Sequence, residues 1–151
     1  MYMTQRTEAR FKVFSKTDNT VFGSSGTFQY DNIDFNVGGT YDTSTREYTV
    51  DNAGTYLIGH SFVKKKTYNN NKYHGGSRVL LTRGGTNYTI CITKLNETVS
   101  NTTISNLFMY KFEVGDKLKI IADNGQPKMN RYNGFWNNHI LNSWWGIKLN
   151  Y

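Results

Sequence analysis

Proline is all but missing from this sequence, with Pro127 alone among 151 residues, so its turns fall to Gly, Asn, Asp and Ser. Cys91 is the single cysteine, which excludes an internal disulfide. It lies in the alternating run Tyr88–Thr93 and is read as a small packed hydrophobe. No stretch approaches the ~20 apolar residues of a membrane span. The opening residues, MYMTQRTEARFKVF, lack the apolar core of a secretory signal. Helical periodicity is missing too, since no apolar repeat at helical spacing lasts about ten residues.

Motifs that carry chemistry are equally scarce. There is no phosphate-cradling loop and no dinucleotide fingerprint. Ser24 and Ser25 sit in a Gly-Ser-Ser-Gly turn, not a nucleophile elbow. The histidines are His60, His74 and His139, and none has a carboxylate or second His at zinc-ligand spacing. His60 shares a strand face with Ile58 and Phe62, which makes it an interior or interface residue. Asp42, Asp116 and Asp123 do not have calcium-loop spacing, so metal is left unassigned. The expectation is a protein that is not an enzyme and carries no cofactor.

What is abundant is aromatic side chain, 15% of the chain, and glycine, with 14 residues. Aromatics bury the most area per residue, and 151 residues are enough for one domain that buries roughly 68–70% of its unfolded surface. Short alternating or apolar runs between turn residues point to an all-β sandwich. Strands are expected at Ala9–Lys16, Thr27–Ile33, Phe35–Val37, Glu47–Val50, Thr55–Lys64, Ser77–Arg83, Tyr88–Leu95, Thr103–Glu113, Lys117–Asp123 and Ile140–Leu149. Residues 1–8 read as an N-terminal arm and 9–151 as the domain.

Three strands are apolar on both faces. Tyr56, Ile58 and Phe62 oppose Leu57 and Val63, while Phe108, Tyr110 and Phe112 oppose Leu107 and Met109. The C-terminal strand is read with Trp144 and Ile147 opposite Trp145. A sandwich covers one face of each sheet, so the second apolar face calls for another copy of the chain. The candidate contact residues are Tyr56, Ile58, Phe62, Phe108, Tyr110, Trp144 and Trp145.

The most distinctive stretch runs from Phe28 to Phe62. Phe28, Tyr30, Asp31 and Ile33 are followed by Asn36, Gly38, Gly39, Tyr41 and Asp42, where Gly38-Gly39 marks a sharp turn. Tyr48-Thr-Val50 and Ala53-Gly-Thr-Tyr-Leu-Ile58 come next, then Val114-Gly-Asp-Lys-Leu118 and Trp144-Trp-Gly-Ile-Lys-Leu149. In these residues, from about Ala9 onward, the chain resembles the C1q-like globular domain of the C1q/tumour-necrosis-factor superfamily. It departs from that pattern at Ala53, where Pro is usual, and at Ile147, where Phe is usual. No Gly-X-Y collagen repeat precedes the domain.

The resemblance implies a ten-stranded jelly-roll β-sandwich in a compact homotrimer, with the first, C-type, F-type and last strands in the inner sheet. It implies a recognition module, extracellular by secretion or on a virion, that binds a glycan, a polyanion or a cell-surface receptor. The alternative is a structural fibre head or decoration protein assembled with virion proteins. A formal charge of +7 suits either solubility or an acidic partner. Two loops carry binding chemistry. Lys64, Lys65, Lys66, Tyr68, Lys72 and Tyr73 interleave cations with rings. Arg131, Tyr132, Trp136, Asn137 and Asn138 set stacking rings beside amides, as lectin-like carbohydrate sites do. The sequons at Asn87, Asn96 and Asn101 are either glycan acceptors in a secreted chain or coincidence in an Asn-rich one.

Overall fold

The computed structural model of the chain describes residues 8–15, 26–64, 75–95, 102–123 and 143–150. These form ten strands, namely β1 (Arg10–Phe14), β2 (Asn32–Val37), β3 (Gly39–Asp42), β4 (Glu47–Val50), β5 (Gly54–Lys64), β6 (Gly75–Arg83), β7 (Thr86–Leu95), β8 (Thr102–Phe112), β9 (Lys117–Asp123) and β10 (Ser143–Lys148). Alternation of side chains along each strand gives every sheet one face for the core and one for the outside.

Two five-stranded antiparallel sheets result, ordered β2-β1-β10-β5-β8 and β3-β4-β9-β6-β7. The chain changes sheet after β2, β4, β5, β7, β8 and β9, which is the repeated crossing of a jelly roll. The first, fifth, eighth and tenth strands share the first sheet, as the resemblance implied. Gly38 makes the first crossing at φ +68°, a left-handed conformation that a side chain disfavours.

That crossing corrects two expectations. Gly39–Asp42 is a strand where none was expected between Val37 and Glu47, because Gly38 completes the turn by itself. Thr27–Ile33 is not one strand: Thr27 makes an isolated bridge to Ile121, and the ladder begins only at Asn32. Between them Phe28 donates its amide to the Ile120 carbonyl at 2.9 Å, and Phe28 and Tyr30 both enter the core.

The core between the sheets is largely aromatic. Phe11 of β1 stacks on Tyr48 of β4 at 4.0 Å between centroids and meets Trp144 edge-on at 5.0 Å. Tyr56 and Phe112 form a second edge-on pair at 5.6 Å, and Phe28 and Phe62 a third at 4.9 Å. Such pairs add about 0.5–1.5 kcal/mol each beyond the area they bury. Where the sheets part at the β7/β8 side, Asn106 of β8 donates its amide to Cys91 Sγ and Thr93 Oγ1 of β7. A bulge opposite Val79 and Leu80 packs both Ile90 and Cys91 against the core.

Candidate functional site

The outward face of the first sheet is built in rows across neighbouring strands. One row runs Val37, Arg10, Ile147, Leu57, Met109, and the next runs Phe35, Lys12, Trp145, Gly59, Leu107. Leu107 and Met109 are the barest, 62% and 61% exposed, and Phe35, Val37 and Ile147 are also exposed. A third row is hydroxylic: Ser143 of β10, Ser61 of β5 and Ser105 of β8 lie side by side.

Trp145 is set into this face by a gap. A Cβ on Gly59 would fall 2.5 Å from two ring carbons, so the indole lies where a side chain at 59 would stand. The β1/β2 end of the face is edged with charge. Lys12 pairs with Asp34 at 2.8 Å, and the Arg10 guanidinium sits 5.8 Å from the centre of the Phe35 ring.

The seven expected contact residues do not all lie on this face. Tyr56, Ile58, Phe62 and Trp144 are fully buried between the sheets, and Phe108 and Tyr110 pack against that core from β8. Only Trp145 is turned outward. The reason is bulk: the aromatic members of each two-faced strand fill the sandwich interior, and their neighbours one residue along face away. Ile147 likewise shares the outward side with Trp145, because residues two apart on a strand point the same way. The sequence signal for the outward side of these strands was Leu57, Leu107 and Met109.

Lys65, Lys66, Tyr68, Lys72, Tyr73, Arg131, Tyr132, Trp136, Asn137 and Asn138 lie outside the described residues, and Lys64 is described only as the last backbone position of β5. His74, His139, Asn96 and Asn101 fall outside as well. Asn87 is exposed at the start of β7, where its side-chain oxygen accepts from the Thr82 hydroxyl at 2.7 Å.

His60 is interior, as expected, 2% exposed and facing the second sheet. Its Nε2 lies 2.7 Å from the Ser77 hydroxyl, joining β5 to β6 across the core, and its ring stacks on Phe62. Burial pushes its pKa down to about 4, so the imidazole is neutral near neutral pH. Asp116 is also buried. Its carboxylate accepts from Arg83 Nε at 2.8 Å, from Arg83 Nη2, and from the Glu113 amide at 2.8 Å. Burial alone would raise that carboxyl's pKa, but the Arg83 bonds, the Glu113 amide and the guanidinium charge hold it below the ordinary range. Asp116 therefore serves the turn before β9. Asp42 caps the β3–β4 turn through the Ser44 amide and hydroxyl, at 2.7 and 2.6 Å. Among the described residues, no three His, Cys, Asp or Glu side chains gather as metal ligands do.

No protein-family model matches this sequence, and no curated protein does. Solved structures do match its fold. Eiger TNF from S. frugiperda superposes with a TM-score of 0.73 at 10% identity, over 96% of this chain and 94% of that one. Murine APRIL at pH 5.0 gives 0.69 at 11% identity, and at pH 8.5 it gives 0.64 at 12%. Both APRIL structures cover 94% of this chain and 99% of their own. The chain therefore shares the jelly-roll fold of these structures, the fold that the resemblance of its signature residues implied.

Proposed function

We propose that this protein is an extracellular, non-enzymatic homotrimer whose jelly roll serves as a recognition module. The observation that carries the reading is the outward face of the first sheet. Phe35 and Val37 sit on edge strand β2, Leu107 and Met109 on edge strand β8, and Trp145 and Ile147 between them. Apolar side chains at both ends and in the middle of one sheet face, interrupted by Arg10 and Lys12 of β1, are costly to leave in water. Because the apolar side chains reach both ends of the sheet, the β8 end of one copy fits the β2 end of the next. That head-to-tail contact closes as a ring rather than as a face-to-face pair. Three copies close it, in keeping with the fold.

With the sheets committed to core and contact, recognition falls to the loops. The basic segment from Lys64 to Tyr73 and the amide-and-ring segment from Arg131 to Asn138 carry it, with a glycan or other macromolecular partner as the ligand.

Sedimentation equilibrium at micromolar concentration tests the assembly. Three chain masses are expected, and a single chain mass overturns the reading. A glycan array run with the wild type and Trp136→Ala tests the loop. Loss of bound glycans in the variant is expected, and identical profiles overturn that part.

A further inference from the structure

The hairpin that joins β6 to β7 presents a side-chain amide to open solvent. Gly84 and Gly85 turn the chain at φ +56° and +80°, the paired left-handed conformation of a two-residue hairpin. A Cβ on either glycine would meet nothing within 4 Å, so the space beside the turn is open. Asn87, Tyr88 and Thr89 follow on β7, and all three are exposed. We propose that Asn87 is an acceptor for an N-linked oligosaccharide, a modification that rests on the extracellular reading above.

The Asn-Tyr-Thr spacing is that of an acceptor sequon with no proline inside it. Register sets its geometry. Asn87 pairs with Thr82 and Thr89 with Leu80, so both lie on the outward face of the second sheet. Tyr88, opposite the buried Leu81, lies on the other side. The Thr82 hydroxyl donates to Asn87 Oδ1 at 2.7 Å and holds the carbonyl end of the amide toward β6. The Nδ2 end, where a sugar attaches, is turned away and has no partner among the described residues. In the transfer, Nδ2 bonds to the anomeric carbon of a polyprenyl-diphosphate-linked oligosaccharide. The anomeric C–O bond breaks, the lipid diphosphate leaves, and the nitrogen gives up one amide proton. The lipid-linked donor belongs to the host's secretory membrane, so the modification accompanies export.

The position also suits the assembly. The proposed contact between copies uses the outward face of the first sheet, whereas Asn87 stands on the outward face of the second. A glycan and a neighbouring copy therefore do not compete for one face. β7 is the free edge of its sheet, and an uncovered edge strand invites pairing with another chain. A bulky, solubilising sugar at the start of β7 shields that edge.

Secretion of the full chain from cultured insect cells behind an added cleavable leader tests the site. Peptide mapping should find Asn87 glycosylated, and enzymatic release of the sugar by a peptide N-glycosidase should convert that asparagine to aspartate. Asn87→Gln and Thr89→Ala should each lose one oligosaccharide from the intact mass, and Thr89→Ser should retain it. An unmodified Asn87 peptide in the secreted wild type overturns the proposal. So does an Asn87→Gln protein that still carries every oligosaccharide of the wild type. The peptide map needs no variant, so a variant that fails to fold leaves the test standing. Because the leader supplies export, an unmodified Asn87 counts against the site alone. Native protein found only inside cells would instead overturn the extracellular reading, and native occupancy of Asn87 with it.

Discussion

The indole of Trp145 occupies the space that a side chain at Gly59 would take, with two ring carbons 2.5 Å from where its Cβ would stand. Alanine in the middle of a strand is ordinarily better than glycine by about 0.5–1 kcal/mol. Here the order should reverse. Gly59→Ala forces the ring off the sheet, and overpacking of this kind costs about 1–3 kcal/mol. Urea unfolding of the variant should show that loss together with a changed Trp145 environment. A stabilised Gly59→Ala would mean that the ring does not rest there.

This pair also marks where sequence reading stopped. Sheet membership was legible: the resemblance of the signature residues implied that β1, β5, β8 and β10 share a sheet, and the apolar second faces of β5, β8 and β10 pointed the same way. Which of two apolar faces turns outward was not. Tyr56, Phe62 and Trp144 look as suited to a contact as Leu57, Leu107 and Met109, and only the packing of two sheets decides between them. The serine row on that face was hidden for a different reason. Its serines lie on strands far apart in sequence, and register alone brings Ser143, Ser61 and Ser105 into one row.

Burial of His60 links stability to pH. Its folded pKa of about 4 is below the ordinary value of 6.5 given for an unperturbed imidazole. Between those values the unfolded chain takes up a proton that the folded chain refuses, so stability rises with pH across that window. Above it the contribution of the neutral imidazole is complete, and it is lost as pH falls from about 6.5 toward about 4, by about 3 kcal/mol in all. Urea midpoints of the wild type and His60→Gln, compared from neutral pH to pH of about 4, isolate this effect from the other two histidines. The wild type should lose ground on the variant as pH falls, and parallel curves would contradict the assignment.

Asp116 acts lower on the pH scale. Its carboxyl is held below its ordinary pKa in the fold, so its contribution is present above the unfolded value and disappears as pH falls through the folded one. Asp116→Asn keeps the size of the group but loses the charge that holds Arg83 and the Glu113 amide. A loss of about 2 kcal/mol is expected at neutral pH. In strongly acidic solution the two proteins should converge. A variant as stable as wild type at pH of about 7 would show that the turn before β9 does not need the carboxylate.

The sharpest test of the outward face replaces Leu107 and Met109 with Glu. Both side chains are more than half exposed in the single chain, so the fold itself should change by no more than about 0.5 kcal/mol. Assembly should respond differently. Each apolar side chain buried between copies contributes about 2 kcal/mol, and a carboxylate in its place must also be stripped of water. The double variant should sediment as a single chain at concentrations where the wild type runs as three. Thr43→Glu combined with Thr45→Glu, an equal charge change in the exposed β3–β4 turn of the other sheet, should leave the mass unchanged. If the double variant still runs as three chains, the contact lies on another surface. If the Thr43→Glu/Thr45→Glu pair dissociates it as well, added negative charge rather than the β8 side chains is responsible.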